Sequence, residues 1–84
     1  MSVSDRNRAI WHSRRGMLEL DLLLEPFARH CFETLSSSQQ EHYRQLLSYE
    51  DQDLYHWLLQ SQAPTESSLK EIIDLILAHA RGNV

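Results

Sequence analysis

The fold is decided by residues 66–82, Glu66-Ser67-Ser68-Leu69-Lys70-Glu71-Ile72-Ile73-Asp74-Leu75-Ile76-Leu77-Ala78-His79-Ala80-Arg81-Gly82. Leu69, Ile72, Ile73, Ile76 and Ala80 recur at i, i+3, i+4, i+7 and i+11, one face of a 3.6-residue period. The spacing predicts a helix that opens near Glu66 and stops before Gly82, a residue suited to the C′ position because it accepts positive φ at little steric cost. Ala63-Pro64-Thr65, just ahead of it, is the clearest loop of the chain.

The same period recurs towards the N-terminus. The acidic connector Tyr49-Glu50-Asp51-Gln52-Asp53 offers Asp51 or Asp53 as N-cap of a short fourth helix carrying Leu54, Tyr55, Trp57, Leu58 and Leu59. Residues 36–41 hold three overlapping Ser-x-x-Gln/Glu capping boxes ahead of a third helix with Tyr43, Leu46 and Leu47. A second helix starts near Met17 and ends at Leu35, with Leu20, Leu23, Leu24, Phe27 and Cys31 as its stripe. Pro26 falls inside this stripe and removes one backbone hydrogen bond. Because the period persists across it, a kinked helix is expected rather than two. Leu18 and Leu22 point away from the stripe: either another helix covers them, the first helix being the favoured cover, or they sit on a contact surface. That first helix has Ser4 as N-cap, with Asp5 well placed for the dipole. It runs to about Ser13 with Ile10 and Trp11 as apolar contacts. No strand alternation competes, no repeat is present, and no linker divides the chain. The expected class is all-α, a compact bundle of about five short helices forming a single helical domain over residues 1–84.

Composition supports this and bounds function. Of 84 residues, fourteen are leucine and only two each are glycine and proline, which favours helix. A bundle of this size leaves little room for a ligand pocket of roughly 300–1,000 Å³ beside a packed core, so the balance leans towards a protein that acts on another protein. The net charge is −4, and Lys70 is the single lysine. That argues against nucleic acid, whose binding rests on many phosphate contacts. The charge is uneven: residues 1–16 carry +3 and residues 17–84 carry −7, so a basic end sits on an acidic body. No run approaches the roughly 20 apolar residues of a membrane span, and no apolar signal segment follows Met1. Cys31 is the lone cysteine. A cytoplasmic protein is the default expectation.

Candidate chemistry mostly dissolves. His12, His30, His42, His56 and His79 form no pair on one helix face, so no metal is expected. The Glu50–Asp53 run lacks the alternating oxygens and glycine of a calcium loop. Cys31 falls on a core stripe, and no nucleophile is paired with a base at a recognisable spacing. Arg14-Arg15-Gly16-Met17-Leu18-Glu19-Leu20-Asp21 is different, because it packs two guanidinium groups, a flexible backbone point and two carboxylates into eight residues. One reading is helix capping with local ion pairs, worth about 0–1 kcal/mol when exposed. The other is a recognition surface, with Arg15 as a bidentate donor to a carboxylate or carbonyl, Gly16 as the point of close approach and Glu19 as an acceptor.

Arg15, Gly16 and Glu19 resemble the Arg-Gly-x-x-Glu motif of the SdhE (YgfY) family of FAD assembly factors, which is related to the mitochondrial succinate dehydrogenase assembly factor. Arg14, Met17, Leu20 and Asp21 fit around it. Pro26-Phe27, Leu35-Ser36 and Asp51-x-Asp53-Leu54-x-x-Trp57-Leu58 extend the likeness over nearly the whole chain. The resemblance implies a five-helix domain with no catalysis of its own. It implies binding to the flavoprotein subunit of succinate dehydrogenase, and of fumarate reductase in some bacteria, with promotion of covalent FAD attachment to a histidine of that client. Arg15, Gly16 and Glu19, with Arg14 and Asp21 beside them, would be the partner-binding residues. The cofactor handled would be the client's FAD, with none bound tightly by the chain itself. The absence of a transit peptide at the N-terminus suggests a bacterial, cytoplasmic member, monomeric when free. The alternative is a regulator or antitoxin-type module whose partner is not a flavoprotein.

Overall fold

A computed structural model describes residues 3–82, with side chains from residue 5 onward. Five α-helices hold 58 of these 80 residues: α1 (Val3–His12), α2 (Leu18–Cys31), α3 (Ser37–Leu47), α4 (Asp51–Leu59) and α5 (Ser67–Ala80). A 3₁₀ turn at Phe32–Thr34 joins α2 to α3. No strand occurs among the described residues.

The helix signals place α3 and α5 well. Ser36 is the N-cap of α3: its Oγ accepts from the Gln39 N–H at 3.1 Å, and Gln39 Oε1 accepts from the Ser36 N–H at 3.0 Å. This reciprocal pair satisfies two orphan donors of the first turn. Of the three overlapping boxes, the first one forms. Gly82 adopts φ +80° past the end of α5, and its N–H closes on the His79 carbonyl at 3.0 Å.

Leu20, Leu24, Phe27, Ala28 and Cys31 of α2 are buried together with Tyr43, Leu46 and Leu47 of α3, Leu54 and Leu58 of α4, and Leu69, Ile72, Ile73 and Ile76 of α5. Helix α2 is central and touches α1, α4 and α5, while α3 lies along α5. Phe27, Tyr43 and Phe32 form an aromatic knot, with centroids 5.5 and 6.0 Å from the Tyr43 ring. The radius of gyration, 11.6 Å, matches the roughly 11.9 Å of a fully packed chain of this length. The helix pairs therefore close around one core.

Several expectations are corrected. Helix α1 already includes Val3, so Ser4 does not cap it, and the Ser4 side chain lies outside the described residues. Helix α2 ends at Cys31, and the backbone tightens into the 3₁₀ turn before Leu35. Neither Asp51 nor Asp53 caps α4. Glu50 holds the N-cap position without a side-chain bond, and Asp51 is the first helical residue. Ala80 is exposed because the α5 stripe outruns the core below it. Trp11, Leu18 and Leu22 are 68%, 69% and 64% exposed. Helix α1 buries Ala9 and Ile10 and so packs against another side of α2, leaving these three side chains uncovered.

Candidate functional site

The Arg-Gly-x-x-Glu segment forms the corner between α1 and α2, and the corner is tied down from two directions. On one side Ser13 is fully buried. Its Oγ lies 2.6 Å from both the Ala9 carbonyl and the Tyr43 hydroxyl, and Tyr43 donates to the Leu24 carbonyl at 3.2 Å. Two hydroxyl protons thus serve three contacts, linking α1, α2 and α3 at one point. Burial pushes the Tyr43 phenol far above its ordinary pKa, against a smaller opposing pull from Ser13 and Arg15.

On the other side Arg15 folds inward. Its Nε donates to Asp51 Oδ1 at 2.7 Å, Nη2 to the Tyr49 carbonyl at 2.7 Å, and Nη1 to the Leu47 carbonyl at 2.8 Å and the His12 carbonyl at 3.4 Å. The planar fork suits such a cluster of acceptors. The Leu47 and Tyr49 carbonyls flank the end of α3, where orphan acceptors and the negative end of the dipole favour a cation. The Arg15 side chain retains only 16% exposure. The expectation of Arg15 as a donor towards a partner meets a different geometry, because its own chain engages all three nitrogens. Asp21 also turns inward: it is half-buried, and its Oδ1 accepts from the Arg15 backbone N–H at 2.7 Å, closing the turn onto the first turn of α2.

What remains outside is short. Gly16 is exposed at φ +84°, and a Cβ added there would meet nothing within 4 Å. Glu19 is exposed in the first turn of α2. Arg14 donates to Glu25 at 3.2 Å and lies 6.0 Å from the Trp11 ring centroid. Arg29 donates to the same Glu25 oxygen at 3.1 Å. Arg29 and Arg14 together hold the Glu25 carboxyl below its ordinary range. Leu18 and Leu22 stand one turn apart on the outer face of α2, with Glu19 and Glu25 beside them. The exposed surface is thus an apolar trio, Trp11, Leu18 and Leu22, around an Arg14–Glu25 pair, with Gly16 and Glu19 at its end.

The structure brings Gly16, Glu19 and Arg14 to the surface together and withdraws Arg15 and Asp21 into the scaffold. Sequence reading missed Asp51 as the partner of Arg15, although both fall within the two blocks that carry the family likeness. It read Trp11 as an apolar contact, and of the two readings open for Leu18 and Leu22 the structure shows the exposed one. His30 and His79, considered singly along the chain, meet across α2 and α5. Cys31 is buried in the core and its thiol is pushed up by that burial.

The fold is thus a small all-helical domain with a hydrogen-bonded corner and an exposed face of mixed apolar and polar side chains. The chain belongs to the family described as the flavinator of succinate dehydrogenase, whose model matches residues 7–80. It is 43% identical over 74 residues to the FAD assembly factor SdhE of Pseudomonas putida, covering 88% of each chain. To the protein of that name from Pseudomonas savastanoi it is 45% identical over 71 residues, 84% of each chain. To that from a Serratia species it is 38% identical over 76 residues, 90% of this chain and 86% of the other. Among the described residues no helix is long and apolar enough to cross a membrane.

Proposed function

We propose that this chain binds the flavoprotein subunit of succinate dehydrogenase in the cytoplasm, as a monomer, and promotes covalent attachment of FAD to it. The flavoprotein of fumarate reductase, where present, is a second client. The observation that carries this reading is the exposure of Trp11, Leu18 and Leu22 beside the Arg14–Glu25 pair, with Gly16 and Glu19 exposed at its end. Large apolar side chains gathered on one face of a small domain mark a surface that another protein covers. Gly16 offers a bare stretch of backbone for close approach, Glu19 supplies a carboxylate acceptor, and Arg14 a guanidinium at the rim. Arg15 and Asp21 serve the same surface from beneath, by holding the corner in shape.

The flavin chemistry is assigned to the client. The sole thiol, Cys31, is buried and made less acidic, and the Ser13 hydroxyl is sealed against Tyr43. Neither is presented to a substrate. The chain acts by binding one conformer of the client more tightly than others, since only a difference in affinity shifts a population. The chain need not hold FAD itself for this.

The test is complementation in a strain lacking its own assembly factor, read as in-gel flavin fluorescence of the client. Wild type restores the signal. Glu19→Ala and Gly16→Arg retain helical circular dichroism and lower it. Normal flavinylation by both variants refutes the assignment of the motif, and recovery of only non-flavoprotein partners in a pull-down refutes the assignment of the client.

A further inference from the structure

His30 lies in the last turn of α2 and His79 in the last turn of α5. Nδ1 of His30 stands 3.4 Å from Nε2 of His79, with ring centroids 5.5 Å apart and planes at 50°. As a hydrogen bond this contact is long, since N–H donors favour acceptors at about 2.9–3.0 Å. As one edge of a metal coordination sphere it has the right length: two imidazole nitrogens bound at about 2.0–2.1 Å to a tetrahedral ion stand roughly 3.3–3.4 Å apart. The His79 ring is steadied edge-on against Phe27, centroids 5.9 Å apart at 82°. His30 is exposed, so an ion reaches the pair from solvent. Both rings sit at helix C-termini, whose partial negative charge favours a cation.

We propose that His30 and His79 form a two-imidazole clamp for a divalent transition-metal ion of the zinc, copper or nickel kind, tying the C-terminal turns of α2 and α5 together. Imidazole suits these ions, whereas magnesium and calcium select oxygen ligands. Among the described residues no cluster of three or more His, Cys, Asp or Glu side chains is positioned to hold a metal. Water therefore completes the sphere, and binding is reversible. The clamp exists only when α2 and α5 are packed, so the ion stabilises the folded chain by mass action.

The experiment follows the thermal midpoint of the full chain by circular dichroism with zinc chloride or magnesium chloride. Zinc at a hundredfold excess over its dissociation constant raises the midpoint by about 10 °C or more, and magnesium does not. His30→Gln and His79→Gln each remove the zinc shift, while His12→Gln and His56→Gln keep it. Because His79 packs on Phe27, the exposed His30→Gln variant decides the matter if His79→Gln loses helicity. In a parallel zinc titration followed by ¹⁵N NMR, the imidazole signals of His30 and His79 move together with one-to-one stoichiometry. A zinc shift that survives His30→Gln, or the absence of any zinc shift in the wild type, overturns the proposal.

Discussion

Arg15 and Asp51 meet at 2.7 Å between Nε and Oδ1, joining the turn after α1 to the first residue of α4. The same guanidinium caps the carbonyls of Leu47 and Tyr49. One side chain therefore fixes the position of the Gly16 corner relative to α3 and α4. Arg15 is thus held by its own chain, and the exposed surface beside the corner is formed by its neighbours.

Arg15→Ala should accordingly act through the fold. It leaves Asp51 and the His12, Leu47 and Tyr49 carbonyls without this donor, at about 1.5–3 kcal/mol for a charge-assisted contact. The expected cost is about 3 kcal/mol, a fall in midpoint of roughly 10 °C or more for a domain of this size. Arg15→Lys recovers little, since a single ammonium cannot span the fork. Asp51→Ala costs less, about 1–2 kcal/mol, and the double variant less than the two losses combined, as residues in contact do. Thermal unfolding of the four proteins checks this. An Asp51→Ala midpoint equal to wild type would mean that the Arg15–Asp51 pair contributes nothing to stability.

Gly16 separates conformation from contact. At φ +84° an alanine pays the left-handed penalty of about 1–2 kcal/mol, although nothing crowds its Cβ. Asparagine tolerates this region better, so Gly16→Asn should unfold nearer to wild type than Gly16→Ala. If close approach to the client matters, Gly16→Asn still lowers flavinylation. Stability and client fluorescence measured on the same two variants distinguish the roles. Rank orders that coincide would reduce Gly16 to a turn residue.

Much of this was legible in the sequence because it is local. The α5 stripe, the Ser36–Gln39 box and Gly82 each depend on residues within a few positions, and each forms. What failed depends on distance in the chain. Asp51 read as an N-cap because aspartate at a helix start usually is one, but its carboxylate is engaged by Arg15, 36 residues earlier. Leu18 and Leu22 admit either cover by a helix or a contact surface from sequence, because periodicity does not say on which side of α2 a neighbour lies. The Arg15 cluster and the His30–His79 contact join residues from different helices, which no spacing rule reaches. The motif was visible, but the division of labour within it was not.

The apolar face makes the third prediction. Leu18→Gln and Leu22→Gln remove side chains that are 69% and 64% exposed, so stability should stay within about 0.5 kcal/mol of wild type. Burying a leucine against a partner contributes about 1.5–3 kcal/mol, so each substitution should weaken client binding by roughly tenfold or more. Calorimetric titration of the client flavoprotein subunit measures this. Unchanged affinity in the double variant would move the docking surface elsewhere on the chain.

Beside Cys31 and Tyr49, whose pKa values are raised as well, Tyr43 contributes to the behaviour at high pH. Burial raises its phenol above the ordinary value of 10, so the folded chain holds the proton more tightly than the unfolded chain. A group of this kind contributes stability that is fully present below the unfolded pKa and is lost as pH rises through the folded one. Stability should therefore begin to fall near pH 9, the ordinary thiol value, through Cys31, whose thiol burial also raises, and fall further above about pH 10 as the Tyr43 contribution is lost towards its raised value. Tyr43→Phe keeps the ring contacts to Phe27 and Phe32 and removes the hydroxyl. It strips Ser13 and the Leu24 carbonyl of a buried partner, at about 1–3 kcal/mol near neutral pH. In return the variant loses the alkaline component, so the two stability curves should converge above pH 10. Urea unfolding between pH 7 and 11 gives both curves, and parallel curves would mean that another group governs alkaline unfolding.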